Sequence, residues 1–279
     1  MITKSNIENS KGTILLIHGT ASQNIDGQLP AEEVQKKIIK TDPNHYIIHP
    51  TYKELASRLN SLGWDTFRYT RVGVYQNHVD LNEYATTDLS TITGQLNNIW
   101  SAMPKDRPRI IFAWSGGSIH ALQLPLSEAD AVIILGGIST KRIDVYRLQA
   151  KTEKERQEIE RDIDNLLAQE GNSNGTEMLG YDMPKKRFWD ENRLQDNWTY
   201  LKPYANLPVL ILHGDSDKEC SITQAKVWKE KLPNHNITLE IKQSGNHAFG
   251  TIGNQPDMLD LATAMDLFLS RVVSPTASA

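Results

Sequence analysis

The chain has 279 residues, 39% of them hydrophobic and 23% charged, with 30 Lys and Arg against 34 Asp and Glu for a formal net charge of −4. That balance excludes a disordered chain, and without a basic run to track a phosphate backbone nucleic acid is not an expected partner. No apolar run is long enough to span a bilayer, Met1 to Gly12 is polar where a secretory signal would be apolar, and the sole cysteine, Cys220, closes no intramolecular disulfide, so the expectation is a cytoplasmic protein with no membrane contact.

Thr13 to Ile17 is short, apolar and rich in branched residues, and it stops at His18-Gly19, as a strand buried on both faces does. The same design recurs in Trp64 to Tyr69, Arg109 to Trp114, Ala131 to Leu135, Pro208 to His213 and, more weakly, Ile237 to Ile241. Helical spacing fills the intervals: Tyr52 to Leu62, Thr86 to Met103, Ser118 to Leu124, Ile222 to Leu232 and Met258 to Val272. Strands alternating with helices at this pitch predict an α/β protein with a mostly parallel, doubly wound sheet of about six strands. The rhythm breaks between Lys141 and Asn206, where a charged helical stretch (Lys151 to Glu170) is followed by a Gly/Asn/Ser turn and then by Tyr181, Phe188, Trp189, Trp198, Tyr200 and Tyr204. This predicts a helical lid over 141–206, dividing a core made of 1–140 and 207–279. The loop from Ala21 to Pro50 is a second, smaller insertion.

In the segment Ala113-Trp114-Ser115-Gly116-Gly117 a buried strand ends at a serine and turns at once into a helix. Such an elbow projects a hydroxyl above the sheet edge, and small neighbours are required because strand and helix pass closely. The usual pattern begins with glycine, which alanine replaces here. A serine hydroxyl is a weak nucleophile until a base takes its proton, which calls for a histidine and an acid to orient it. His247 lies in the Gly-rich loop Gly245-Asn246-His247-Ala248-Phe249-Gly250, and Asp215 and Asp217 follow the strand ending at His213.

Together, His18-Gly19, Ala-Trp-Ser-Gly-Gly, Leu-His-Gly-Asp-Ser-Asp and Gly-Asn-His-Ala-Phe resemble the α/β-hydrolase superfamily over residues 13 to 250. Phe67-Arg68-Tyr69-Thr70-Arg71-Val72-Gly73 is similar to a stretch of its serine-aminopeptidase-like and esterase/lipase branches, and the Trp beside the nucleophile is similar to prolyl-oligopeptidase-like members. The resemblance implies Ser115 as nucleophile, His247 as base and Asp217 as the acid, with Asp215 the alternative. It also implies an oxyanion hole from the backbone N–H groups of Gly116 and Thr20, with Ala21 the alternative to Thr20.

The implied activity is hydrolysis of a carboxylic ester or lactone of a small to medium organic molecule through an acyl-enzyme, with no metal or organic cofactor. Trp114, Trp189 and Trp198 are the candidate substrate contacts. A thioesterase, or an aminopeptidase or amidase holding a substrate amine on Glu191 or Asp196, would use the same three residues, and a non-catalytic binding protein on this fold is a further alternative. Other residues have plainer readings. His18 and His213 read as core or rim histidines, Ser118, His120 and Cys220 as packing, Arg68 and Arg71 as paired surface arginines, and Lys151 to Glu170 as a solvated face. His45 and His49 lack the Glu of a zinc helix, and residues 215–219 lack the glycine of a calcium loop, so no metal site is expected.

Overall fold

The computed structural model describes residues 2–4, 7–30, 49–170, 178–179, 183–251 and 256–273. His45, Tyr181 and most of the loop from Ala21 to Pro50 lie outside these. The strands are β1 (Ile2–Lys4), β2 (Thr13–Ile17), β3 (Asp65–Tyr69), β4 (Arg109–Trp114), β5 (Ala131–Leu135), β6 (Met178–Leu179), β7 (Met183–Pro184), β8 (Val209–Gly214) and β9 (Ile237–Lys242). Seven of them form one open sheet in the order β1-β3-β2-β4-β5-β8-β9, while β6 and β7 pair separately. Every neighbouring pair in the large sheet is parallel except β1 with β3.

The sheet is covered on both faces, which explains why its central strands read as unbroken apolar runs. Leu15, Ile17, Ile111, Val132 and Ile134 face one core, and Ile14, Leu16, Ile110, Phe112 and Ile133 face the other. In chain order the helices of the core's first part are α1 (Thr51–Ser61), α2 (Leu81–Ala85), α3 (Leu89–Ala102) and α4 (Gly117–Ala121). An insertion between β5 and β8 carries α5 (Arg142–Gln149), α6 (Glu153–Ala168), α7 (Lys185–Arg193) and α8 (Trp198–Leu201), after which come α9 (Ile222–Lys231) and α10 (Met258–Val272). Helices α1 and α10 pack on the second face, whereas α3 and α9 pack on the first.

Two departures from the sequence reading have physical causes. The seventh strand, β1, is three exposed residues paired antiparallel at the edge, Ile2 opposite Tyr69, so no apolar run announces it. The helix expected over Thr86 to Met103 starts only at Leu89. Asp88 ends its non-helical approach by accepting the Thr91 N–H at 2.8 Å, and Asp80 likewise caps the separate α2. The charged helix α6 opens on a Thr152/Glu155 capping box and buries only Ile163 among its residues, as a solvated face should. Among the described residues no helix is long and apolar enough to cross a membrane.

Candidate active site

Strand β4 ends at Trp114, and Ser115 takes a left-handed φ of 54°, a conformation a non-glycine residue holds only when its surroundings insist. Three hydrogen bonds do so. The Ser115 N–H donates to the Leu135 carbonyl at 2.8 Å, and Ser118 Oγ donates to the Ser115 carbonyl at 2.7 Å while accepting the Ile138 N–H at 2.9 Å. Ser118, read from sequence as packing, thus staples the elbow to the segment after β5. The close approach falls at Gly117, where a methyl group would lie 2.4 Å from the His18 carbonyl oxygen. Ala113 sits earlier, in regular pairing with Ile17 and Ile134, so the alanine in place of the usual glycine meets no such demand.

Asp217 lies in the turn after β8, its side chain fully buried. Its Oδ1 accepts the Glu219 and Cys220 N–H groups at 2.8 and 2.9 Å, and its Oδ2 accepts from His247 Nδ1 at 2.6 Å. His213 Nε2 approaches the same Oδ2 at 3.4 Å while donating to the Cys220 carbonyl at 2.7 Å, so this rim histidine fixes the acid's turn. Asp215 is exposed and accepts from its neighbour Ser216. The structure therefore pairs His247 with Asp217 and leaves Asp215 aside. Trp114 Nε1 donates to the His247 carbonyl at 3.0 Å, tying the histidine loop to the strand that ends in Ser115. Among the described residues no cluster of His, Cys, Asp or Glu could hold a metal ion.

Thr20 and Gly116 stand side by side: a methyl group on Gly116 would lie 2.4 Å from Thr20 Oγ1. What holds the 18–21 loop is a pair of arginines, one expected elsewhere and one without a sequence signal. Arg71, expected at the surface, is buried, and its guanidinium donates to the carbonyls of His18 at 3.0 Å, Thr20 at 2.8 Å, Ala21 at 2.9 Å and Gly19. Arg187 of α7 adds a second bond to the Thr20 carbonyl at 2.8 Å. A buried carbonyl left unsatisfied costs about 1–3 kcal/mol, so this clamp sets which way the loop's peptides face. Arg68, by contrast, is partly exposed and pairs with Asp26 at 2.6 Å.

Behind the loop His120 Nε2 donates to Glu191 at 2.8 Å, and Arg142 Nε donates to the same carboxylate at 2.5 Å. His120, expected to be a packing residue, is buried in this pairing, and burial lowers its pKa to about 4, so it stays neutral. Burial opposes the charge of Glu191, yet Arg142, His120 and Arg187 hold its carboxyl below the usual range. His18 donates to the Tyr69 carbonyl at 2.8 Å, and burial together with Arg71 lowers its pKa to about 3.

The three tryptophans singled out as substrate contacts hold elements together. Trp114 is buried between Tyr52 and His247, Trp189 is buried with Met183 and Phe188 and donates to the Leu166 carbonyl at 3.0 Å, and Trp198 packs on the first core with its Nε1 3.2 Å from Asp196.

One neighbour of His247 was missed. Glu219 Oε2 lies 3.9 Å from His247 Nε2, with the glutamate side chain 45% exposed. Burial pulls the His247 pKa down, but Asp217, Glu219 and the Nδ1 hydrogen bond outweigh it and raise the value to about 9. Were His247 the base of a reaction, it would have to be unprotonated to act, and a raised pKa would place the acid limb of the pH–rate profile high. Glu219→Gln removes one of the charges that raise it. The limb of kcat/KM should move to lower pH, by about 0.2–0.7 unit for a pair this exposed and screened. A limb that stays put or moves upward would show that Glu219 does not tune His247.

No protein-family model matches the sequence, and no curated protein matches it. Solved structures do match in shape. An esterase from Exiguobacterium antarcticum is 16% identical with a TM-score of 0.55, covering 98% of this chain and 96% of that one. Est1E from Butyrivibrio proteoclasticus, solved with ferulic acid bound, is 12% identical with a TM-score of 0.61 over 99% and 96% of the two chains. A soluble variant of monoglyceride lipase from Saccharomyces cerevisiae, in complex with a substrate analog, is 15% identical with a TM-score of 0.63 over 98% and 92%. Sheet order, the strand-to-helix elbow and these neighbours agree that the chain has the fold of the α/β-hydrolase superfamily.

Proposed function

We propose that the protein is a serine hydrolase that cleaves a carboxylic ester of a small to medium organic molecule. The observation that carries this reading is the 2.6 Å bond between His247 Nδ1 and the buried Asp217, with the His247 carbonyl held at 3.0 Å by Trp114, the residue that precedes the left-handed Ser115. His247 takes the hydroxyl proton as Ser115 Oγ attacks the substrate carbonyl, and Asp217 keeps the proton of the imidazolium on the Nδ1 side. The backbone N–H groups of Gly116 and Thr20 receive the oxyanion, a contribution of about 3 kcal/mol for one such donor. His247 then protonates the leaving alcohol, and water repeats the cycle on the acyl-enzyme to release the acid. No step needs a metal or an organic cofactor.

The esterase and monoglyceride-lipase descriptions of the structural neighbours support an ester as the scissile group. In this reading the 141–206 insertion acts as a lid over the strand ends. Within it Glu191 is already bound to Arg142 and His120, which leaves it poorly suited to hold a substrate amine and disfavours an aminopeptidase. The test compares p-nitrophenyl butyrate, butyryl-CoA and alanine p-nitroanilide. Turnover concentrated in the ester is expected, and a protein that cleaves only the anilide would end the esterase reading.

A further inference from the structure

Thr20 follows directly on the point where the 18–21 loop passes the nucleophile: a methyl group on Gly19 would lie 3.3 Å from Ser115 Cβ and 3.9 Å from its Oγ. The backbone of Thr20 is set by the Arg71 clamp on the Gly19 and Thr20 carbonyls. Its side chain is set separately. Arg142, the first residue of α5, donates from Nη1 to Thr20 Oγ1 at 2.8 Å, and its own Nε is anchored on Glu191 at 2.5 Å. The hydroxyl thereby enters the space that a side chain at 116 would take, since a methyl group there would lie 2.4 Å from Oγ1 and 3.0 Å from Arg142 Nη1. The glycine after the nucleophile makes room for a hydroxyl from the facing loop.

A guanidinium only donates, so Thr20 Oγ1 spends a lone pair on Arg142 and turns its proton elsewhere. Among the described residues no acceptor takes that proton. Thr20 and Ser115 are both partly exposed, so a substrate that reaches the nucleophile reaches this residue as well. An oxygen that accepts a charged hydrogen bond becomes a stronger donor, because the cation draws electron density from it. The buried Arg142 thus primes the hydroxyl from behind without meeting the substrate itself.

We propose that the Thr20 hydroxyl is a third donor to the oxyanion, beside the backbone N–H groups of Gly116 and Thr20, with Arg142 as the residue that positions and polarises it. This assignment rests on the ester-hydrolase reading above. No proton is transferred: the O–H stays on Thr20, and its hydrogen bond strengthens as the carbonyl oxygen gains charge and weakens again when the acyl-enzyme forms. Such a donor favours the tetrahedral state over the bound ester, so its loss falls on kcat rather than KM.

The test follows p-nitrophenyl butyrate hydrolysis and inhibition by propyl trifluoromethyl ketone, whose adduct on Ser115 carries the same oxyanion. Thr20→Val, which keeps the shape of the side chain, should lower kcat by about 5- to 100-fold with KM little changed, and should weaken ketone binding by a matching factor. Thr20→Ser, which returns the hydroxyl, should recover most of that loss, and the acid limb of the pH–rate profile should stay in place because the His247–Asp217 pair is untouched. A fall in kcat of less than about fivefold, a loss confined to KM, unchanged ketone binding, or a Thr20→Ser protein as slow as Thr20→Val would each overturn the proposal. Should Thr20→Val fail to fold, Thr20→Ala against Thr20→Ser, a pair differing by the hydroxyl alone, decides by the same criteria. Arg142→Lys should slow the wild-type protein several-fold and the Thr20→Val protein hardly at all; slowing both equally, or neither, would remove Arg142 from the assignment. A wild-type protein that hydrolyses no ester and binds no ketone refutes the hydrolase reading itself, whereas ester turnover indifferent to the hydroxyl refutes the third donor alone.

Discussion

Ser115→Ala is expected to lower kcat/KM for an ester by about 10⁴- to 10⁶-fold, the range seen when a nucleophile is removed from a working Ser-His-Asp set. The same substitution should abolish the single adduct that a fluorophosphonate forms, read by intact mass. What survives is the small rate due to binding and the backbone donors at Gly116 and Thr20. A companion variant separates lost chemistry from lost structure. Ser115 holds a φ of 54° that glycine adopts without strain, so Ser115→Gly should be equally inactive yet unfold no earlier than the wild-type protein. Ester turnover persisting at a tenth of the wild-type rate in either variant would rule out Ser115 as the nucleophile.

Asp217→Asn should reduce kcat by about 10⁴-fold, because an amide at this position can present its N–H group to His247 and stabilise the wrong tautomer. The fold should tolerate the change, since the amide oxygen can still accept the Glu219 and Cys220 N–H groups now bound to Oδ1. Asp215→Asn is the control, and its exposed carboxylate predicts an effect within about twofold, as for surface changes generally. If Asp215→Asn proves the damaging substitution, the pairing at 2.6 Å has no part in the reaction and the two acids exchange roles.

Five of the six parallel strands could be read from sequence because they are buried on both faces, while the half-buried edge strand β9 gave the weaker run, and the helices with an apolar stripe were legible too, Met258–Val272 to the residue. The strand-to-helix elbow at Ser115 was legible for a related reason: a glycine must accompany a turn where backbones nearly touch, as at Gly117. The choice between Asp215 and Asp217 could not come from local spacing. Strand β8 runs on to Gly214, and it is the turn closed by the Glu219 and Cys220 N–H groups that swings Asp217 inward while Asp215 faces solvent. The arginine set was out of reach altogether. Arg71, Arg142 and Arg187 come from three distant segments and meet at Thr20 and Glu191 only once the insertion has packed against the core. No period in a sequence encodes such a meeting, and a buried arginine is written with the same letter as an exposed one.

The grip of Arg71 and Arg187 on the carbonyls of residues 18–21 bears on how this scaffold can be re-engineered. Residues 18–21, Arg71 and the α7 segment around Arg187 form one heritable module, although they are scattered along the chain. A loop swapped in from another protein would need Arg71 beneath it, and any trimming of the insertion has to stop short of α7.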